Sequence, residues 1–524
     1  AQARTIEQTG LSSTQIPTDV FGIDNLGLGL VAPIPNSFLS ASTLLSYFGR
    51  VNYSFNRRYL ATVNFRADGS SKFRQENRWG YFPSFSLAWI ISEEAFLANQ
   101  NLISNLKLRA GWGSTGNNRI GDFDAFTTLS STNQSGYIWG PNEGYQIGAL
   151  ITNLGVPDLR WETTDQYNVG LDFGFLEGRI QGSVDLYQKR TQDLLLNADM
   201  ASSTGFVRVQ QNVGEVENSG LEIALQTYNV AAESFSWNTN FNIAFNRNEV
   251  IALNQGQDAI FTDPERINLR EFQYITQVGQ PVGQIYGLQF DGLYQVDDFV
   301  WDAEGGTFQL KDGIPDNGGR PAPGSVKFVD LNGDGTINEE DRSAIGNTTP
   351  AFIGGMSNNF RFKGFDLQVF FQWSYGADIL NLNRVEFESP TGSRQNGFTS
   401  LLDQWTPDDV NTDIHTLEYQ NVFGRPINGT RISDLYVEDG SFLRLKTVSL
   451  GYRLPKRWLS KISLKSCRLS ISAQNLYTWT NYSGYDPEVS VPPRGGISRA
   501  LAPNLDFSAY PQSTTLTGGI NISF

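Results

Sequence analysis

Cysteine, histidine and methionine are nearly missing: one Cys, one His and two Met in 524 residues. One cysteine cannot close an internal disulfide, and one histidine leaves no material for a His-rich zinc site or a Ser-His-Asp triad. Positive charge is also short. The balance of 39 − 54 gives −15, which excludes a phosphate backbone as a natural partner, so no nucleic acid is expected. No uninterrupted apolar run reaches about 18 residues, so no transmembrane helix is present. Neither an initiator Met nor a signal peptide stands at Ala1, and the chain therefore reads as mature, trimmed or partial. Glycine (52 residues) and aromatics (13%) are plentiful, and mean hydropathy is −0.31. That combination still admits a membrane β-barrel, whose lipid face hides in alternate residues.

Period two dominates. Tyr47, Gly49, Val51, Tyr53 and Phe55 alternate with Ser46, Phe48, Arg50, Asn52 and Ser54. The pattern returns with Tyr167, Val169, Leu171 and Phe173, with Trp237, Thr239, Phe241, Ile243 and Phe245, and with Phe365, Leu367, Val369, Phe371 and Trp373. It closes the chain at Leu516, Gly518, Ile520, Ile522 and Phe524. Alternation of this kind sets one face on an apolar medium and the other on water. No segment shows a comparably long helical period, so the fold class is all-β.

The spacing predicts thirteen wall strands, at roughly 43–55, 58–66, 81–91, 104–113, 164–175, 179–189, 220–229, 234–247, 350–363, 364–376, 439–453, 467–479 and 514–524. Their connections alternate between short turns and long loops, the longest running from Glu249 to Pro350. Such sorting marks an outer-membrane barrel, because a soluble sandwich has no reason to segregate its loops. With short turns periplasmic, the last strand runs inward and Phe524 ends at the periplasmic rim. Residues 1–42 then become an extracellular loop remnant, and 43–524 the C-terminal part of the barrel. An odd strand number also predicts that the sheet does not close alone, since open edges are intolerable in lipid.

Several segments together resemble one family, the SusC/RagA-type TonB-dependent transporters. They are LLSYFGRVNYSFNRRYLATVNFRADGSSKF (44–73), GYFPSFSLAWIISEEAFL (80–97), LISNLKLRAGWGSTGNN (102–118) and LRWETTDQYNVGLDFGFLEGRI (159–180). NVGEVENSGLEI (212–223), KFVDLNGDGTINEEDR (327–342), NFRFKGFDLQVFFQWSYG (359–376), FLRLKTVSLGYRLP (442–455) and SGYDPEVS (483–490) follow in order. The resemblance implies a transmembrane antiparallel barrel of about 22 strands, of which this chain is the C-terminal portion. It also implies an absent plug domain on a companion N-terminal segment and import of oligosaccharides or oligopeptides. The implied partners are a SusD-type surface lipoprotein that lids the barrel and TonB with ExbB and ExbD acting through the plug. A dimer of the transporter–lid pair is compatible with it. The alternative is a receptor or scaffold barrel that transports nothing.

Two groups of residues could carry chemistry. Asp330, Asn332, Asp334, Thr336, Asn338 and Asp341 fall at positions 1, 3, 5, 7, 9 and 12 of a calcium loop, with Gly335 at the sharp sixth position. Position 12 is Asp rather than the usual Glu, as in the dockerin-type variant, and the flanks do not read as helices. The expectation is a structural calcium in the 248–349 loop insertion, against an Asx-rich turn with solvated carboxylates. Tyr137, Trp139 and Tyr145 are candidate platforms for a sugar or peptide ligand, though loop anchors account for them as well. Adjacent acids such as Glu93-Glu94, Asp297-Asp298 and Asp408-Asp409 cannot flank one bond from a strand. His415 reads as a surface histidine and Cys467 as a small packing residue. No catalytic constellation can be assembled, so an enzyme is not expected.

Overall fold

The computed structural model describes residues 1–14, 30–31, 36–131, 136–141, 144–146, 148–199, 202–206, 208–253, 257–264, 271–302, 304, 307–318, 321–388, 396–416, 431–459, 464–494 and 497–524. Fourteen strands form one antiparallel sheet in strict chain order. They are β1 (Gln2–Gly10), β2 (Asn36–Phe55), β3 (Tyr59–Ser70), β4 (Trp79–Ile90), β5 (Ile103–Asn117), β6 (Glu162–Phe175) and β7 (Ile180–Gln192). The sheet continues through β8 (Glu215–Ala231), β9 (Phe235–Ala252), β10 (Phe352–Phe362), β11 (Phe365–Tyr375), β12 (Phe442–Arg453), β13 (Ser466–Thr480) and β14 (Thr515–Ser523).

Register carries the apolar positions from strand to strand. Val51 pairs with Val63 and Val63 with Phe85; Ala110 pairs with Val169 and Val169 with Leu186. Ile223 meets Ile243, Met356 meets Phe371, and Leu450 meets Ile471. The result is one continuous apolar face whose side chains stay bare, Val51 at 67% and Val169 at 51%. Water would not tolerate such a surface, whereas hydrocarbon solvates it. Aromatic rings border the face above and below. Phe55, Tyr59 and Trp89 stack at one level, with Trp237–Phe360 and Phe365–Tyr452 alongside. Tyr47–Trp79, Phe65–Tyr81 and Phe352–Tyr375 stack at the other. From Tyr47 to Phe55 is 55 − 47 = 8 residues, which at about 3.3 Å each and a tilt of about 40° gives roughly 20 Å, close to the ~25 Å band expected of a lipid-facing wall.

The two rims differ. Lys363-Gly364 makes a two-residue hairpin with positive φ at both positions (45° and 91°), the geometry whose twist matches the flanking strands, and the three-residue turn 56–58 has positive φ at Asn56 and Arg57 (50° and 56°). Leu176, Glu177 and Gly178 turn similarly. The long connections all leave from the opposite rim: 11–35, 118–161, 193–214, 253–351, 376–441 and 481–514, with only 71–78 short.

The sheet corrects the expectation of thirteen strands and of a loop over 1–42. Gln2–Gly10 is a strand, paired with Asn36–Leu44 of an elongated β2, so Ala1 stands part-way up the wall. Both segments lie above the aromatic border, where neither face needs to be apolar. Gln2, Arg4, Ile6 and Gln8 alternate with Ala3, Thr5, Glu7 and Thr9, a pattern with no hydrophobic period to read. Among the described residues β1 and β14 do not pair with each other, and both edge strands are exposed along nearly their whole length.

A charge placed in the middle of the apolar face tests this assignment. Val169→Arg is expected to cost about 2–4 kcal/mol of barrel stability, while Asn168→Arg on the adjacent lumen-facing position stays below about 1 kcal/mol. Denaturant unfolding in lipid vesicles measures both, and equal costs would show that residue 169 does not face lipid.

Candidate functional site: a polar lumen beneath a packed cap

The inner face is the complement of the lipid face. Arg50 Nε donates to Asn64 Oδ1 at 2.6 Å, Thr62 to Asn52 at 3.0 Å and Asn64 to Ser84 at 2.9 Å. Arg109 holds Asp172 through two bonds of 2.9 and 2.7 Å and reaches Asp185 at 3.1 Å. Gln368 donates to Ser357, and Asn240 and Gln372 occupy the same face by register. A lumen lined with amides, hydroxyls and paired charges is wet and suits polar cargo.

Above the wall the long loops are not separate. Tyr274 and Ile285 from 253–351, Leu380, Leu382, Ile432 and Tyr436 from 376–441, and Ala502 and Leu505 from 481–514 share one buried core. Leu380 pairs in parallel with Leu505, and a bridge joins Leu288 to Ser433. A second core gathers Leu288, Val326, Phe328, Ile337 and Trp405. The three loops therefore form a cap with its own hydrophobic interior, while the barrel wall has almost none.

Buried ion pairs tie cap to wall. Arg444 projects from β12 and is 1% exposed; it donates to Thr478 Oγ1 at 2.9 Å, to Glu488 at 2.8 Å and to Asp486. Asp486 and Glu488 belong to the third cap loop, so one guanidinium fastens that loop to the inner wall. Arg384 plays a similar part within the cap, bonding Glu388 at 3.1 Å and the Leu435 carbonyl at 2.8 Å. Tyr482 donates to Asp506 at 2.6 Å, and burial together with that bond raises the phenol far above its usual pKa. Between wall and cap lies a cavity of about 490 Å³ bordered by Asn242, Gln372, Phe442, Glu488 and Asn504. None of the residues binding the cap was found by period or motif. The one available signal was Arg444 in a strand followed by SGYDPEVS, where Asp486 and Glu488 supply the counter-charges.

The expected site residues are placed as follows. Asp330 accepts backbone N–H groups from Gly333 and Gly335, both at 2.7 Å, and these bonds lower its pKa. Asn332 accepts from Asp334 N and Asp334 from Thr336 N. The amide of Asn338 donates to the Thr336 carbonyl while its oxygen accepts from Glu340 N. Asp341 is fully buried, with its two oxygens on Leu331 N and Asn338 N. Five of the six side chains thus help fold the turn, Thr336 taking part through its backbone, and among the described residues no three His, Cys, Asp or Glu side chains gather as a metal site. Tyr137–Trp139 and Gly144–Gln146 form a hairpin in which Tyr137 faces Gln146 and Ile138 faces Tyr145. Tyr137 and Tyr145 therefore lie on opposite faces and do not build one platform; the Trp139 side chain lies outside the described residues. Cys467 faces the lipid side opposite Ile522. Glu94 is structural, accepting from Arg58, Tyr59 and Trp89.

His415 corrects the expectation of a surface histidine. It is 2% exposed beside Trp405 in the cap, its Nδ1 3.1 Å from the Thr416 carbonyl, and burial lowers its pKa. Unfolded histidine takes up a proton near pH 6.5, whereas the buried ring resists until lower pH, so stability falls as pH drops below about 6.5. As the only histidine in the chain, it gives a clean test. The thermal midpoint is expected to fall between pH 7.5 and 5.5, and His415→Gln to flatten that part of the profile; an unchanged profile would exclude His415 as its source. The hydrogen bonds within the 330–341 turn leave each carboxylate oxygen a further lone pair for the expected calcium. A thermal midpoint several degrees higher in calcium than in a chelator would make it a calcium site, and equal midpoints an Asx turn alone.

Comparison with known proteins agrees with this geometry. Residues 10–333 match the family model described as TonB dependent receptor-like, beta-barrel. TonB-dependent receptor P3 of Formosa agariphila is 35% identical over 502 residues, covering 95% of this chain and 47% of that protein. TonB-dependent receptor SusC of Bacteroides thetaiotaomicron is 32% identical over 496 residues, covering 93% and 44%. The solved RagAB peptide transporter superposes with a TM-score of 0.76 at 26% identity, over 100% of this chain and 52% of that one. The chain spans about half the length of the curated relatives it matches. A lipid-facing wall, a polar lumen and these relatives agree: the chain belongs to the TonB-dependent receptor-like β-barrel family, in its SusC/RagA type.

Proposed function

We propose that this chain forms the passage of an energised outer-membrane importer of polar oligomers, oligosaccharides or oligopeptides. The observation that carries the reading is the joining of a hydrated, charge-balanced inner face to a cap made by three loops on one rim. Family membership puts the wall in the outer membrane; the proposal sets the cap outside the cell and the short turns, with Phe524, in the periplasm. The sheet has two open edges, and unpaired backbone groups in hydrocarbon cost several kcal/mol each. A companion segment supplies the remaining strands, about 22 less the 14 seen here, and a plug that gates a lumen too wide for wall side chains to fill. TonB with ExbB and ExbD moves that plug, and a SusD-type lipoprotein closes over the cap. No covalent step is part of this reading: the chain provides the passage and the loops that border it.

The intact complex tests this. Affinity purification from outer membranes is expected to recover a surface lipoprotein together with the companion strands and plug, and uptake of a labelled oligomer is expected to stop when the proton-motive force is discharged. Recovery of neither, with uptake indifferent to that force, would leave a receptor or scaffold barrel.

A further inference from the structure

The short-turn rim carries a charge that opposes the rest of the molecule. Between Asp439 and Asp486 the chain has no Asp or Glu and eight Lys or Arg, in a protein of net charge −15. Arg444 and Lys446 of this group go to the cap. Most of the others collect at the opposite rim. Arg453 ends β12, Lys456 and Arg457 sit on the short helix Lys456–Leu459, Lys465 immediately precedes β13 and Arg468 is its third residue. The neighbouring hairpin adds Arg361 and Lys363, and Arg453 N bonds the Gly364 carbonyl across the two turns. Asp366 is the carboxylate within the group, and Arg468 already occupies it at 2.5 Å. Arg361, Lys363, Arg453, Lys456 and Lys465 are exposed and form no ion pair among the described residues, Glu233 of the adjacent turn included.

Aromatic side chains show what medium these cations meet. Trp458 is 49% exposed, with the Arg457 guanidinium 5.8 Å from its ring centre, while Leu459 beneath it is buried. The Lys363 ammonium stands 5.2 Å from the Phe362 ring, and the stacked Phe365–Tyr452 pair lies one step further into the wall. The cations therefore stand just beyond the aromatic belt, at the level where hydrocarbon gives way to head groups.

We propose that this rim is a binding surface for the phosphate head groups of anionic phospholipids in the leaflet on that side. A soluble acidic partner would account for the charge but not for Trp458 and Phe362 exposed beside the belt. Clustered Lys and Arg next to a membrane surface attract anionic lipid over about a Debye length, and salt weakens the attraction. Bound head groups would fix the height and tilt of β10–β13 in the bilayer. The inference depends on the barrel alone, and failure of the import reading would not touch it.

The test uses the intact transporter in nanodiscs of mixed phosphatidylglycerol and phosphatidylcholine, released into native mass spectrometry. Phosphatidylglycerol is expected to be retained at least about tenfold over phosphatidylcholine. Combined Lys363→Gln, Lys456→Gln and Arg457→Gln should remove that preference while the heat-modifiable folded band on a semi-native gel persists. If the triple variant fails to form that band, raising the salt on the unaltered protein gives the same reading: the preference should shrink. Equal retention of the two lipids, a preference unchanged by substitution or salt, or cross-linking of Lys456 to an acidic protein in place of lipid would overturn the proposal.

Discussion

Hydrocarbon leaves a backbone no solvent to bond with, and most of this structure follows from that single demand. Each strand must find both neighbours within the protein, so the wall is a ladder in chain order with no crossovers. Turns between neighbours can then be very short, and Asn56-Arg57 and Lys363-Gly364 accept left-handed backbone to keep them so. The same demand makes the two edges untenable in lipid. At the lipid level the open edges are β2 beyond Leu44, where its pairing with β1 ends, and β14.

The wall consequently reverses the usual arrangement of a protein. Its apolar residues face out, where lipid receives them, and its polar residues face in. Little remains to build a hydrophobic core from, and the buried aliphatic and aromatic residues are found in the loops instead: Tyr274, Ile285, Leu380, Ile432 and Leu505 around one centre, Leu288, Phe328 and Trp405 around another. The cap folds by water-driven burial, the wall by ladder bonding and lipid solvation. One chain thus satisfies two solvents, and the boundary between them is drawn by the stacked aromatics.

That division also explains what could be read from the sequence. Alternation is imposed by the wall, so strands such as 164–175 and 364–376 are legible to within a few residues, as is the sorting of short and long connections. Gln2–Gly10 escapes because above the lipid nothing forces its faces apart. The cap escapes for a different reason: Leu380 and Leu505 are 125 residues apart (505 − 380), and no local period announces a contact of that range. The calcium-type spacing of Asp330 to Asp341 is real, but the same residues equally satisfy a turn that bonds to itself. Tyr137 and Tyr145 look like a pair until the hairpin register sends them to opposite faces. His415 looked solvated among acids, and the packing of a distant loop buries it.

The attachment of cap to wall bears on how such a passage could be gated. Arg444 is buried in β12 with Asp486 and Glu488 of the third loop as its partners. A cap motion that pulled the third loop from the wall would break both charge-assisted bonds, and the shared core would drag the other two loops with it. The cap is therefore better suited to be a fixed collar than a moving lid. Motion that opens and closes the passage belongs to whatever covers this collar and whatever fills the lumen beneath it.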